Sequence, residues 1–185
     1  MYLLMTGNNP IQELITQLRE QMSRLGITAH TGLGTELFHF VSSLIPIVNV
    51  DLVVFNSKGQ ILLAMRDDPH CGKGWHIPGG CIRFKETVDT RIKKVAQNEL
   101  NLTDFTYDKE PMKVFEIMWD KDQRSLANDD ERAHFITLAY KCYAPDTYTI
   151  DNLGKNENEV GYLRWFDRLP DDLLKIQNCY RNILI

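Results

Sequence analysis

The chain has 185 residues, 43% hydrophobic and 25% charged, with a formal net charge of -4. These values suit one globular domain with room for an added helix. No lysine or arginine block stands out, which excludes a nucleic-acid footprint, so an anionic small molecule would need a local cluster of donors.

The opening MYLLMTGNNP has no basic segment, and its apolar run is too short for a signal peptide or a membrane span. The four cysteines, Cys71, Cys81, Cys142 and Cys179, lack the paired spacing of a disulfide framework. A cytoplasmic protein with reduced thiols and no membrane partner is expected. Asn9 reads as a helix cap and Pro10 as the first helical position, followed by Ile11, Leu14, Ile15, Leu18, Met22 and Leu25 at helical spacing up to Gly26. This amphipathic helix is expected to pack on its own domain rather than serve as a dimer contact or a lid. Residues 27–36, with three threonines and two glycines, read as a linker. Residues 1–44 thus form an N-terminal helix and linker, and 45–185 the main domain.

From residue 46 the pattern changes to strands. IPIVNVDLVVF, the turn Asn56-Ser57-Lys58-Gly59 and QILLAMR predict a hairpin. Strand-like stretches recur at 112–119, 134–143 and 161–166, with a helix over 86–100 and one or two short helices closing the chain. The expected fold class is α/β (α+β): a sandwich with a mixed sheet flanked by helices.

Val88, Ile92, Val95 and Ala96 form an apolar stripe on the predicted helix, and Glu99 falls in its middle. An acid there faces the unfavourable end of the helix dipole and the core side. Either the stripe has left the core by residue 99, or the carboxylate has a partner, for which a divalent cation would serve. Just before the helix, Pro78-Gly79-Gly80 can bring its backbone close to an ion or a phosphate. Glu86, at the helix start, suits both a cap and a functional acid. Asp51 lies inside an apolar strand, where an acid needs a hydrogen-bonded or functional role. Trp75 could stack on a base or sugar, or belong to the core. His70, Cys71, His76 and Cys81 crowd one loop without the paired spacing of a zinc site. The acidic run 128–131 reads as a solvated loop or an extra source of ligands. No serine or cysteine nucleophile arrangement is visible.

GWHIPGGCIRFKETVDTRIKKVAQNELNL, residues 74–102, resembles the Nudix box, G-x5-E-x7-R-E-U-x-E-E-x-G-U, where U is a bulky aliphatic residue. Glu86 stands at its first acid, Lys94 at its arginine and Glu99 at its last acid, while Val95 and Asn98 replace two acids, Asn101 replaces the glycine and Leu102 closes it. Over about residues 45–170, PIVNVDLVVFNSKGQILLAMR, GKGWHIPGGCIRFKETV, AHFITLAYK and YLRWF resemble, in the same order, the GDP-mannose mannosyl hydrolases, a Nudix branch whose box also lacks those two acids.

The resemblance implies a Nudix-type α/β/α sandwich acting on a nucleoside diphosphate sugar. It implies one Mg²⁺ or Mn²⁺ held by Glu99, the Gly79 carbonyl and phosphate oxygens. Water would attack the sugar anomeric carbon as the nucleoside diphosphate departs, with His134 as general base, Asp51 near the sugar, Arg66 supporting the leaving group and Trp119 where a tyrosine is expected beside it. A homodimer is also implied. The chain departs from that branch at Asp67, Cys81 and Ala133, which stand where a lysine, an arginine and a glutamine are expected. The anion donors are thinned, and Lys73, Arg83, Arg124 or Arg132 are the candidates to replace them. Cleavage at phosphorus, or a regulatory module that binds a nucleotide sugar without turnover, are the alternatives.

Overall fold

The computed structural model describes residues 10–28, 30–69, 71–118 and 134–184. The chain divides into two compact units, Met1–Phe38 and His39–Ile185. In the first, helix α1 (Pro10–Arg24) begins at the expected proline and leaves none of its residues buried. The expected cap Asn9 lies outside the described residues. A second helix, α2 (Thr35–Leu44), starts inside the stretch expected to be linker and runs across the division between the units. Glu36 in its first turn suits the helix dipole there, and Leu37, Phe40, Val41 and Leu44 recur at helical spacing.

The second unit is built on a mixed sheet of eight strands among the described residues. They are β1 (Ile47–Phe55), β2 (Ile61–Asp68), β3 (Gly72–His76), β4 (Gly79–Cys81), β5 (Thr106–Tyr107), β6 (Lys113–Met118), β7 (His134–Tyr143) and β8 (Leu163–Phe166). Helix α3 (Val88–Leu100) follows β4, and a 3-10 helix, Lys175–Asn182, stands near the end of the chain. Strands β1 and β7 pair in parallel from Ile47↔Phe135 to Phe55↔Tyr143, and every other pairing between these strands is antiparallel. The hairpin expected from the sequence is present, closing at Phe55↔Ile61.

Alternation along β1 sorts the core into two clusters. Val50, Leu52 and Val54 join Ile92, Val95, Ala96 and Leu100 of α3, whereas Val53 joins Trp75, Leu169, Leu173 and Tyr180. Helix α3 therefore covers one face, where full burial of Ile92 or Leu100 contributes about 1.5–3 kcal/mol each. The C-terminal segment covers the other, as a 3-10 helix where one or two short helices were expected. Thr87 caps α3 by accepting from the Thr90 N–H. At the other end Asn101 adopts a φ of 49°, and the N–H groups of Asn101 and Leu102 satisfy the carbonyls of Gln97 and Ala96. Asparagine tolerates this left-handed conformation, which explains its presence where the box has glycine.

Candidate active site

Strand β1 shares one edge between two partners, β2 at Phe55 and β4 at Asn49–Asp51. A cavity of about 500 Å³ opens where these partners diverge, lined among others by Asp51, Arg66, His76, Gly79, Glu99 and Lys155. The β1–β4 ladder runs through Leu52 N–H to Pro78 O at 2.8 Å and Ile82 N–H to Val48 O at 2.9 Å. By the antiparallel alternation, Gly79 opposite Asp51 is then a non-hydrogen-bonded pair, so its own N–H and carbonyl turn away from β1. Glycine is required here, because a Cβ would lie 2.2 Å from Asp51 Oδ1 and 2.7 Å from Val50 O. A Cβ on Gly80 would meet Val95 Cγ2 at 3.1 Å. Valine, in place of a box acid, thus packs the helix onto the glycine turn.

Asp51 is 6% exposed and sits on the cavity floor. Tyr180 donates its hydroxyl to Oδ2 at 2.8 Å, and Gln177 Nε2 approaches the same oxygen at 3.4 Å. Gln177 also clamps Ile77, accepting its N–H at 2.7 Å and donating to its carbonyl at 3.0 Å. The C-terminal helix thereby holds both Asp51 and the turn that leads to Gly79. Burial pushes the Asp51 carboxyl up to about 7 against the Tyr180 hydrogen bond, with the nearby Glu99 charge adding to the rise and Gln177 and Arg66 opposing it.

Glu99 lies between the buried Ala96 and Leu100 of α3, with its own side chain 35% exposed. Its Oε2 is 3.6 Å from Nε2 of His76, whose Nδ1 lies 2.8 Å from the Ala64 carbonyl oxygen. The helix has not left the core by residue 99, since Leu100 is 1% exposed, and the acid instead reaches the cavity with His76 as its neighbour. Asn98 also lines the cavity, and the Asn49 Oδ1 acceptor, on the same side of β1 as Asp51, is buried with no hydrogen-bond partner among the described residues.

The structure thus gathers Asp51, Arg66, Gly79 and Glu99 in one place. Other expected site residues are elsewhere. Glu86, expected among the catalytic residues, has a side chain only 1% exposed and does not line the cavity. Its carboxylate accepts from the Arg83 N–H at 2.9 Å, from Arg91 Nε at 2.8 Å and from Lys94 Nζ at 2.9 Å, so it ties the turn to the helix while Thr87 supplies the cap. Burial alone would raise its pKa, but these hydrogen bonds outweigh it and hold the carboxyl at about 2. Trp75, expected against substrate, is 3% exposed and belongs to the core, packed edge-on to Phe166 with centroids 4.7 Å apart. His134, expected as general base, alternates with the cavity-lining Phe135 and Thr137 and so faces the other side of β7, where its Nε2 lies 3.1 Å from Glu116 Oε1. Trp119, Arg124, Ala133, Arg132, His70 and the acidic run 128–131 lie outside the described residues.

Neither Lys73 nor Arg83 lines the cavity, whereas Lys155 does. Its loop is pinned by Asn152, which accepts from the Leu163 N–H at 2.7 Å and donates to the Leu163 carbonyl at 3.0 Å. Lys155 Nζ comes within 2.7 Å of where a Cβ on Gly161 would stand, an approach that glycine permits. Nothing in the polar run NLGKNENEVG distinguishes this lysine from a solvated one.

Among the described residues, no group of three His, Cys, Asp or Glu side chains is placed to hold a metal ion, and no disulfide joins the four cysteines. The donor set still fits a divalent cation of the kind that keeps substrate oxygens and water among its ligands. Glu99 offers a carboxylate, and Gly79 offers a carbonyl turned away from β1.

A helix laid on a double-glycine turn thus brings a helix carboxylate and a strand aspartate to one cavity. A sequence profile of the NUDIX domain matches residues 46–179, and the chain belongs to this family of hydrolases. It is 29% identical to the low-salt glycan biosynthesis protein Agl8 of Haloferax volcanii over 59% of this chain. That match spans 64% of the relative, less than two thirds of its length. The fold is similar to that of a MutT NUDIX hydrolase from Burkholderia pseudomallei, with a TM-score of 0.51 at 19% identity over 75% of this chain and 97% of that one. Among the described residues no helix is long and apolar enough to cross a membrane.

Proposed function

We propose that this chain is a divalent-cation-dependent hydrolase of a nucleoside diphosphate sugar, releasing free sugar and nucleoside diphosphate by water attack at the anomeric carbon. The observation that carries this reading is the meeting of Asp51, Arg66, Gly79 and Glu99 in a cavity from which two box acids are missing. Position 95 is a valine 3% exposed in the core, and position 98 is an asparagine, so the helix offers one carboxylate where attack on phosphorus would draw on several. The glycan-related name of the Haloferax volcanii relative supports a sugar substrate.

Glu99 and the Gly79 carbonyl would hold Mg²⁺ or Mn²⁺, which would supply Lewis-acid stabilisation of the departing diphosphate. Arg66 and Lys155 supply the positive charge that binds that diphosphate and stabilises it as it leaves. The sugar then occupies the floor. There the unpartnered Asn49 Oδ1 accepts from a hydroxyl. Tyr180 and Gln177 both engage Asp51 Oδ2, which leaves Oδ1, beside Gly79, to take the proton of the attacking water, the role expected of His134. A bond forms from water oxygen to the anomeric carbon, the bond from that carbon to the diphosphate oxygen breaks, and the electron pair leaves with the nucleoside diphosphate.

Incubation with GDP-mannose and Mg²⁺ or Mn²⁺ in ¹⁸O-water should yield GDP and labelled free sugar. GMP with sugar phosphate would show attack at phosphorus instead. Binding of nucleotide sugars without turnover of any would leave only the regulatory module. His134→Ala should keep its rate within about threefold of the parent, since a base whose loss matters slows turnover by 10²–10⁴. A larger loss would return His134 to the reaction.

A further inference from the structure

His76 takes no part in the reaction set out above. It ends β3, is 8% exposed and borders the cavity directly opposite Glu99. Its Nδ1 is 2.8 Å from the Ala64 carbonyl oxygen. A carbonyl can only accept, so Nδ1 carries the hydrogen and, in the neutral ring, Nε2 presents a lone pair. That lone pair faces Glu99 Oε2 across 3.6 Å.

Two acceptors facing each other in a partly dehydrated cavity repel unless something positive lies between them. A charge-assisted hydrogen bond would close the gap to about 2.7–2.9 Å, well inside the spacing seen. Two ligands each about 2.0–2.2 Å from one ion, by contrast, stand roughly 3–3.6 Å apart. An imidazole anchored through its other nitrogen to a backbone carbonyl is also the usual way a metal-bound histidine is oriented. Strand β3 is itself locked, with Ala64↔His76 in register on β2 and the next residue, Ile77, clamped by Gln177. The ring is thus preorganised toward Glu99.

We propose that His76 Nε2 is a direct ligand of the divalent cation held by Glu99. An imidazole nitrogen among oxygen ligands favours transition ions over Mg²⁺, so the site selects Mn²⁺ and later first-row ions where an all-oxygen site would accept Mg²⁺ readily. This rests on Glu99 being a metal ligand, as set out above.

The test uses Mn²⁺ alone, without substrate. In the full chain grown with ¹⁵N-histidine, pulsed EPR of bound Mn²⁺ should show a directly coordinated ¹⁵N, replacing the ¹⁴N coupling of the unlabelled protein. His76→Asn can keep a donor toward Ala64 while removing Nε2. It should lose the nitrogen signal, weaken Mn²⁺ binding about tenfold and narrow the preference for Mn²⁺ over Mg²⁺ by a similar factor. Glu99→Gln should lose Mn²⁺ binding more severely. If wild-type Mn²⁺ shows no histidine nitrogen while Glu99→Gln still abolishes binding, the proposal for His76 falls and the reading of Glu99 stands. If Mn²⁺ binds equally to all three proteins, both fall.

Discussion

Glu86→Ala is expected to destabilise the protein by about 3–5 kcal/mol at neutral pH, the range for breaking a buried charge pair by removing one partner. The Glu86 side chain is 1% exposed and its main partner Arg91 only 12%, so the deletion strands a guanidinium away from water as well as a backbone N–H at Arg83. The loss should depend on pH in a defined direction. The folded carboxyl sits at about 2, below its ordinary value of 4.5, so its contribution is complete above about pH 4.5 and disappears as the pH falls through 2. A shift of that size corresponds to about 3 kcal/mol. Urea unfolding of parent and variant should therefore diverge most at pH 6–7 and converge toward pH 2–3. Glu86→Gln, which keeps the volume, separates architecture from chemistry. If it is as stable as the parent yet inactive, Glu86 belongs to the reaction after all. The expected result is a weakened protein whose folded fraction still turns over.

Residues whose physical problem is local were legible in the sequence. Asp51 in an apolar strand and Glu99 in an apolar stripe each needed a partner, and both line the cavity. The hairpin β1–β2 followed from two apolar runs about the turn Asn56-Ser57-Lys58-Gly59, helix α3 from period 3.6, and the mixed sheet from their order. Positions set by distant chain were not legible. Asp51 is held by Tyr180 and Gln177, 129 and 126 residues away, on a segment that reads only as one or two short closing helices. Strands β3 and β4 are short and rich in glycine, so GKGWH and GGC read as turn, which concealed His76 on a strand facing Glu99. The side of β7 on which His134 falls depends on register against β1 and β6, which spacing along the chain does not encode. Trp75 and Glu86 were ambiguous between core and site, and burial decided for the core in one and for an internal ion pair in the other.

Asp51→Asn should make the metal-free protein more stable at pH 8 while removing most of its activity. The Asp51 carboxyl titrates at about 7 in the fold against an ordinary 3.8, so folding takes up a proton between those values. Its effect is absent below about pH 4, grows as a penalty between about pH 4 and 7, where the unfolded chain ionises while the buried group keeps its proton, and is complete above 7. The upper bound of that penalty is about 4 kcal/mol, and about 2–4 kcal/mol is the expected gain of the asparagine variant in chelator at pH 8, with little gain near pH 3. Asparagine is neutral and isosteric, and its carbonyl oxygen can still accept from Tyr180. Without a carboxylate to take the proton of water, however, turnover should fall by about 10²–10⁴. Tyr180→Phe provides the complementary perturbation: it removes a hydrogen bond that lowers the Asp51 pKa, so the acidic limb of the pH–rate profile should move to higher pH. Full activity in Asp51→Asn, or equal destabilisation at both pH values, would remove Asp51 from the reaction. A variant more stable and less active than its parent, with the gain confined to higher pH, is what a carboxylate retained at a folding cost for its chemistry requires.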